Sequence, residues 1–282
     1  MCRLFGLSAA PHRIQARFWL LEAPDSLVAQ SHRNPDGTGL GYFRSDGAPV
    51  VEKEPVAAYA DRAFAREARH VASTTFITHV RHASTGGLTE RNTHPFAMEG
   101  RIMAHNGAIG DLPALEAELG EGIRLVQGDT DSERMFALIA TRIDEHDGNV
   151  GAGIAAAARW IAEHLTVYAL NLIVITPAEL WALRYPQTHE LYVLEREAGG
   201  THGARPLHAT SATLRVHAEP LARHPSVVVA SEPLDEHPGW RLLEPGELVH
   251  VGGDLRVAST IALPDPPARP MQVSYLHGPP AA

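Results

Sequence analysis

Apolar residues along this chain fall into short runs broken by polar turns, and the spacing within each run sets the element it predicts. Residues 2–8 are apolar and predict a strand. Residues 40–43 and 50–56 predict two strands separated by a turn at Asp46-Gly47, and residues 61–70 carry helical spacing. Residues 74–80 are rich in β-branched side chains and predict a buried strand. Residues 101–104 predict another, ended at once by the turn signal Asn106-Gly107. Asp111 stands where it would cap a helix reaching Leu119.

Thr130-Asp131-Ser132-Glu133 has the capping-box pattern, with Thr130 as N-cap and a helix to about residue 146; an Ala-rich helix over 150–165 follows. Strands are then expected at 169–175, 180–184, 190–194, 226–230, 247–251 and 255–258. Strands, two consecutive helices and strands again do not make the alternation of a parallel sheet. They predict an α+β arrangement of packed sheets with helices outside. From Leu263 onward six prolines fall in 20 positions, so 2–262 reads as a single domain and 263–282 as an extended tail.

Composition narrows the partners. Lys+Arg is 24 against 33 for Asp+Glu, a formal net charge of -9, which argues against nucleic-acid binding through a broad basic surface. The single cysteine, Cys2, excludes an intramolecular disulfide or a multi-thiolate zinc site. No apolar run reaches the ~18 residues of a membrane helix, and no signal-peptide pattern is visible, so the expectation is a cytoplasmic protein with no membrane partner. The 17 histidines raise the question of a metal. His79 and His82 are three apart in a predicted strand and point to opposite faces. His94 and His105 lack an accompanying His-Glu-x-x-His pattern. No metal and no cofactor is expected.

Cys2 carries the sharpest chemistry. Removal of Met1 would place a thiol and an α-amine on one carbon. An α-amine titrates at ~7.7–8.0 and can take the thiol proton while the thiolate attacks a carbonyl. By position alone, a cysteine opening a buried strand is also a small hydrophobe.

Met1-Cys2-Arg3-Leu4-Phe5-Gly6 resembles the start of the class II glutamine amidotransferases, which are N-terminal-nucleophile (Ntn) hydrolases. Further segments match that family in order: Ser31 to Gly41, His79-Val80-Arg81-His82-Ala83-Ser84-Thr85-Gly86, Asn92-Thr93-His94-Pro95-Phe96, His105-Asn106-Gly107-Ala108-Ile109 and Gly128-Asp129-Thr130-Asp131-Ser132-Glu133. Asn171, Arg184, Ser231-Glu232-Pro233 and Trp240 look like the stand-alone members, which include uncharacterised amidotransferases and the γ-glutamyl amide hydrolase of ergothioneine synthesis, with the closer resemblance to the former. The resemblance implies a four-layer αββα sandwich, two antiparallel sheets flanked by helices. It implies cleavage of a γ-glutamyl amide, of glutamine or a γ-glutamylated metabolite, through a Cys2 thioester.

The same resemblance implies the site. The oxyanion hole falls to the Asn106 side-chain amide and the Gly107 backbone N–H, on a tight turn where glycine supplies the backbone angles. Arg81 holds the substrate α-carboxylate bidentately, and Asp131 holds the α-ammonium. Ser84 lies in the binding loop; larger members often carry histidine at the place of Thr85. Arg33 shapes the pocket, Asn92 and His94 fix loop structure, and Thr38 replaces a tryptophan of the stand-alone members, which implies a wider pocket wall or acceptor side. Two alternatives stay open: a glutaminase subunit passing ammonia to a separate synthase, and a non-catalytic relative that binds a γ-glutamyl ligand.

Overall fold

The structure is a computed structural model of the chain and describes residues 2–82, 87–198, 208–211, 214–217 and 223–272. Six strands occupy the first part: β1 (Arg3–Ser8), β2 (Gly37–Phe43), β3 (Pro49–Glu54), β4 (Thr75–Arg81), β5 (Phe96–Met98) and β6 (Arg101–Ile109). The helices are α1 (Leu27–Gln30), α2 (Arg62–His70), α3 (Leu112–Leu119), α4 (Asp131–Glu145) and α5 (Val150–His164). The remaining strands begin with β7 (Thr166–Ile175), β8 (Leu180–Leu183) and β9 (Tyr192–Arg196). They continue through the hairpin β10 (His208–Ser211) and β11 (Leu214–His217) to β12 (Ser226–Ala230) and β13 (Arg241–Leu242). They end in β14 (Glu247–Val251), β15 (Val257–Ile261) and β16 (Arg269–Pro270).

Two sheets result, in the orders β13-β9-β12-β1-β4-β2-β3 and β15-β14-β8-β7-β6-β5. Their pairings are antiparallel except for the two-residue parallel contact of β16 with β7. Leu4, Ile77 and Val229 of the first sheet meet Ile102, Ile173 and Val249 of the second in a shared inner core. The outer face of the first sheet packs Phe5, Leu7 and Val228 under Phe18, Trp19 and Phe64. The outer face of the second packs Leu170 and Leu172 under Phe136 and Ile154 of α4 and α5. The layers are therefore helix, sheet, sheet, helix, the expected α+β sandwich. Among the described residues no helix is long and apolar enough to cross a membrane.

Local signals set the helix starts. Asp61 accepts from the N–H groups of Ala63 and Phe64 at the head of α2. Thr130 Oγ1 accepts from Glu133 N–H at 3.2 Å, while Glu133 reaches back beyond the cap to the N–H groups of Gln127 and Gly128. Asp111 behaves differently from its expected capping role. It has φ 57°, makes no side-chain cap, and its carboxylate accepts from the Thr166 N–H and hydroxyl.

Two sequence expectations are corrected, and the extended tail is found anchored in its first residues. Asn106-Gly107 is not a turn: β6 runs through it to Ile109, with Asn106 opposite Asn171 and Gly107 opposite Leu170. Pairing along β7 overrides the local preference of the dipeptide. The tail is not free from residue 263. Leu263 is buried, Tyr185 donates to the Asp265 carbonyl, and Met271 N–H donates to the Val167 carbonyl. Residues 263–272 thus strap the edge of α5 and β7, where Ala268 N–H donates to the Ala162 carbonyl and β16 pairs with β7. The strand expected at 255–258 lies further on, at Val257–Ile261.

Candidate active site

Cys2 sits immediately before β1, half-buried, at the end of the central strand of the first sheet. Its thiol donates to the His82 carbonyl at 3.3 Å, and the His82 N–H points back to the sulfur at 3.2 Å. Burial pushes the Cys2 thiol up from its ordinary value, opposed by the His82 hydrogen bond and the cations of Arg81 and Arg3. Arg3 Nη1 and Asn106 Nδ2 both donate to the Cys2 carbonyl, at 3.3 and 3.1 Å. A carboxamide carries two N–H donors, so Asn106 holds the nucleophile's backbone with one and keeps the other.

At Gly107 the backbones of β6 and β7 approach closely. A Cβ built there would lie 1.9 Å from the Ala169 carbonyl oxygen and 2.5 Å from His105 Nε2. Glycine is needed for close approach of backbone, not for a turn conformation. One residue further the register shifts between Ala108 and Ile109. At that bulge the Ile109 N–H donates to Asp131 Oδ2 at 2.8 Å. The other Asp131 oxygen accepts from Ser132 N–H at 2.9 Å. Asp131 is therefore fixed in the first turn of α4 by one bond from the helix and one from the sheet.

Arg81 ends β4 opposite Gly37 and is buried. Its Nη1 donates to the Gly87 carbonyl at 3.2 Å, which Asn92 Nδ2 also reaches, at 3.4 Å. Burial lowers the Arg81 pKa, and the negative charges of Cys2, Asp36 and Asp131 oppose that shift. Ser84 and Thr85 lie outside the described residues. Cys2, Arg81, Gly107 and Asp131 line one cavity of about 30 Å³, room for roughly a single water.

Four histidines line its wall, His82 and the buried His79, His94 and His105. His105 Nε2 faces the Ala169 carbonyl at 3.0 Å and therefore carries the proton, leaving Nδ1 to accept from the Ser132 hydroxyl at 2.9 Å. The His79 and His94 rings lie tilted against each other, with centroids 4.3 Å apart. His94 has more than the loop-fixing place expected for it. Gly39 admits the His94 carbonyl, whose oxygen would lie 2.0 Å from a Cβ there. Burial pushes the His79 pKa down to about 3 and that of His94 well below its usual value.

These shifts predict acid lability. A histidine whose folded pKa is depressed binds fewer protons in the native state than in the unfolded chain. Its stability contribution is complete above the unfolded value of ~6.5 and shrinks as pH falls toward the folded value. Each such imidazole removes about 1.4 kcal/mol per pH unit in that window. The urea midpoint is expected to fall steeply between pH 6.5 and 4; a flat profile there would contradict neutral burial of the pair.

Several neighbours are noted in the sequence without a role at the site. Glu232 Oε1 accepts from Arg3 Nε at 2.9 Å and from Arg33 Nη2 at 3.2 Å, tying the strand that bears Cys2 to the segment after β12. Ser231 Oγ accepts from Leu4 N–H at 2.9 Å. His82 lines the cavity, with its ring 3.8 Å from Asp36. Their signal was only proximity to matched motifs. Thr38 is fully buried in β2 and does not line the cavity, so its side chain does not set the pocket wall. Asn171 and Arg184 brace the backbone at His189, and Trp240 donates to Asp235. Among the described residues no three His, Cys, Asp or Glu side chains are grouped as metal ligands.

Comparison with known proteins gives the following. The family model described as "Glutamine amidotransferases class-II" matches residues 1–271. The γ-glutamyl-hercynylcysteine sulfoxide hydrolase of Mycolicibacterium smegmatis is 27% identical over 277 residues, 94% of this chain and 100% of that one. DUG3 of Saccharomyces cerevisiae, a glutamine amidotransferase by its name, is 30% identical over 134 residues; the match covers 43% of this chain and only 38% of DUG3. The glutamine aminotransferase class-II domain protein from Silicibacter pomeroyi superposes with a TM-score of 0.60 at 21% identity, covering 93% of this chain and 100% of that one.

Proposed function

The chain belongs to the class II glutamine amidotransferases, and from that membership we propose that it hydrolyses a γ-glutamyl amide through a thioester on Cys2. The observation that supports this most directly is the convergence of a thiol, a buried guanidinium and a buried carboxylate on one cavity. An oppositely charged pair beside a nucleophile suits a substrate that ends in an α-amino acid.

In this reading Met1 is removed and the Cys2 α-amine takes the thiol proton. The thiolate attacks the δ-carbonyl carbon, and the resulting oxyanion is met by the free Asn106 N–H and by the Gly107 backbone. Collapse breaks the C–N bond, and the departing amine takes the proton back from the Cys2 ammonium. Water then attacks the thioester, giving its proton to the α-amine. The C–S bond breaks, releasing glutamate and restoring the thiol. Arg81 exchanges its bond to the Gly87 carbonyl for the substrate α-carboxylate, and Asp131 takes the α-ammonium with the lone pairs left by Ile109 and Ser132.

Asn106→Ala is expected to lower turnover about 10²–10³-fold, because it removes an oxyanion donor and the anchor on the Cys2 carbonyl together. A loss under about threefold in kcat would count against the assignment. The reading as a whole is tested by glutamate release from purified protein given glutamine and a panel of γ-glutamyl amides of larger amines. Preference for a larger amide is the expected result, in keeping with a full-length relative named as a γ-glutamyl hydrolase. Turnover of glutamine alone, increased by a cell extract, would instead make the chain a glutaminase subunit. No release from any of them would overturn the reading.

A further inference from the structure

Lys53 is the only lysine among the 24 Lys and Arg residues. It lies on β3, two residues beyond Val51, which packs against the inner core, so strand alternation turns Lys53 to the same inward face. Its ammonium is held 4.8 Å over the Phe96 ring. There it borders an open cavity of about 560 Å³, shared with Thr89, Glu90, Arg91, Gln127 and Asp129. That volume is within the range of small-molecule sites.

The charges in this cavity are not matched to one another. Among the described residues neither Lys53 nor Arg91 has a carboxylate within 4.0 Å. Glu133, the remaining acidic residue there, has each oxygen engaged by a backbone N–H of Gln127 or Gly128. Asp129 accepts from Asn92 Nδ2 with one oxygen, and the exposed Glu90 carboxylate has no hydrogen-bond partner among the described residues. Two cations thus have room for an incoming carboxylate, and two carboxylates have room for an incoming ammonium. Burial lowers the Lys53 pKa, opposed by Glu133 and Glu90, in keeping with an amine drawn partly out of water.

The geometry points to a second ligand pocket here, one that takes a free α-amino acid, with its carboxylate toward Lys53 and Arg91 and its ammonium toward Glu90 and Asp129. A simple anion would meet the acidic residues and a simple cation the basic ones; a zwitterion satisfies both. The pocket is linked to the Cys2 cavity through Asn92. Asp129 N–H donates to Asn92 Oδ1 at 2.9 Å, and Asn92 lines the Cys2 cavity and reaches the Gly87 carbonyl that Arg81 holds. The inference does not use the γ-glutamyl reading and can fail separately from it.

Because there is one lysine, protein grown on [ε-13C]lysine carries one labelled side-chain carbon, which reports this pocket directly without any activity assay. L-alanine, L-serine and L-glutamate are expected to shift that signal saturably. With a Kd of about 1 mM, ~10 mM amino acid would fill about nine-tenths of the sites. Acetate and methylammonium, each half of the zwitterion, are expected to shift it at least tenfold more weakly. Arg91→Gln, at an exposed position, should weaken the response to L-alanine by about tenfold. No saturable shift with any of the amino acids, a response to acetate equal to that of L-alanine, or an unchanged affinity in Arg91→Gln would each overturn the proposal.

Discussion

Cys2→Ala is expected to lower glutamate release by at least ~10⁴-fold while leaving the fold in place. The thiol is the only cysteine sulfur of the chain, and it is the group that receives the acyl group in the proposed reaction. Its removal costs little in stability. The side chain is half-buried and contacts the backbone of His82, and alanine leaves the strand pairing of β1 with β4 and β12 untouched. Circular dichroism and the urea midpoint should therefore match the parent within about 1 kcal/mol. Retention of more than about a tenth of the parent rate would remove the thioester from the mechanism. Intact mass gives a second, independent check. A chain that keeps Met1 has no α-amine on the Cys2 carbon, and the reading then predicts it inactive until that residue is removed.

Gly107→Ala is expected to act on the fold before it acts on any chemistry. The new methyl would meet the Ala169 carbonyl at 1.9 Å, and the carbonyl belongs to the neighbouring strand, which has no rotamer to yield. β6 and β7 would have to part at the centre of the second sheet, beside the bulge that releases Ile109 N–H to Asp131. We expect a loss of about 4 kcal/mol or more, among the larger effects of a single substitution. Urea unfolding measures it. A variant within about 1 kcal/mol of the parent would mean that β6 and β7 are not so closely packed at this point.

Some of this organisation is readable from neighbouring residues alone. The capping pattern at Thr130 places the start of α4, and with it Asp131 in the first helical turn, because a side chain three residues away makes the cap. Asp61 does the same for α2. Apolar spacing locates β1, β4, β7 and β12, each of which is buried along nearly its whole length. Motif order pointed to the four-layer sandwich and to the set of residues that now surround Cys2.

Other features have no local signal. Asn106-Gly107 has the composition of a hairpin turn, yet it is extended, since Asn171 and Leu170 of β7 stand opposite and Asn106 is drawn to the Cys2 carbonyl 104 positions earlier. The proline-rich segment has the composition of an extended tail, yet Asp265, Ala268 and Met271 find hydrogen-bond partners on Tyr185, α5 and β7. Thr38 was expected at a pocket wall and is enclosed within the first sheet. His94 and Lys53 meet the same Phe96 ring from different segments, a contact that spacing along the chain does not encode.

By itself, then, the sequence determined the helix starts, the buried strands and the kinds of side chain available for chemistry. Those follow from interactions within a few residues and from the periodicity of burial. Tertiary structure alone decided that the Asn106 amide reaches the Cys2 carbonyl, that Asp131 is held by a bulged strand as well as by its helix, and that two histidines are buried neutral behind the nucleophile. Each of these depends on contacts between segments tens of residues apart, where the closeness of packed sheets, not local propensity, selects the conformation.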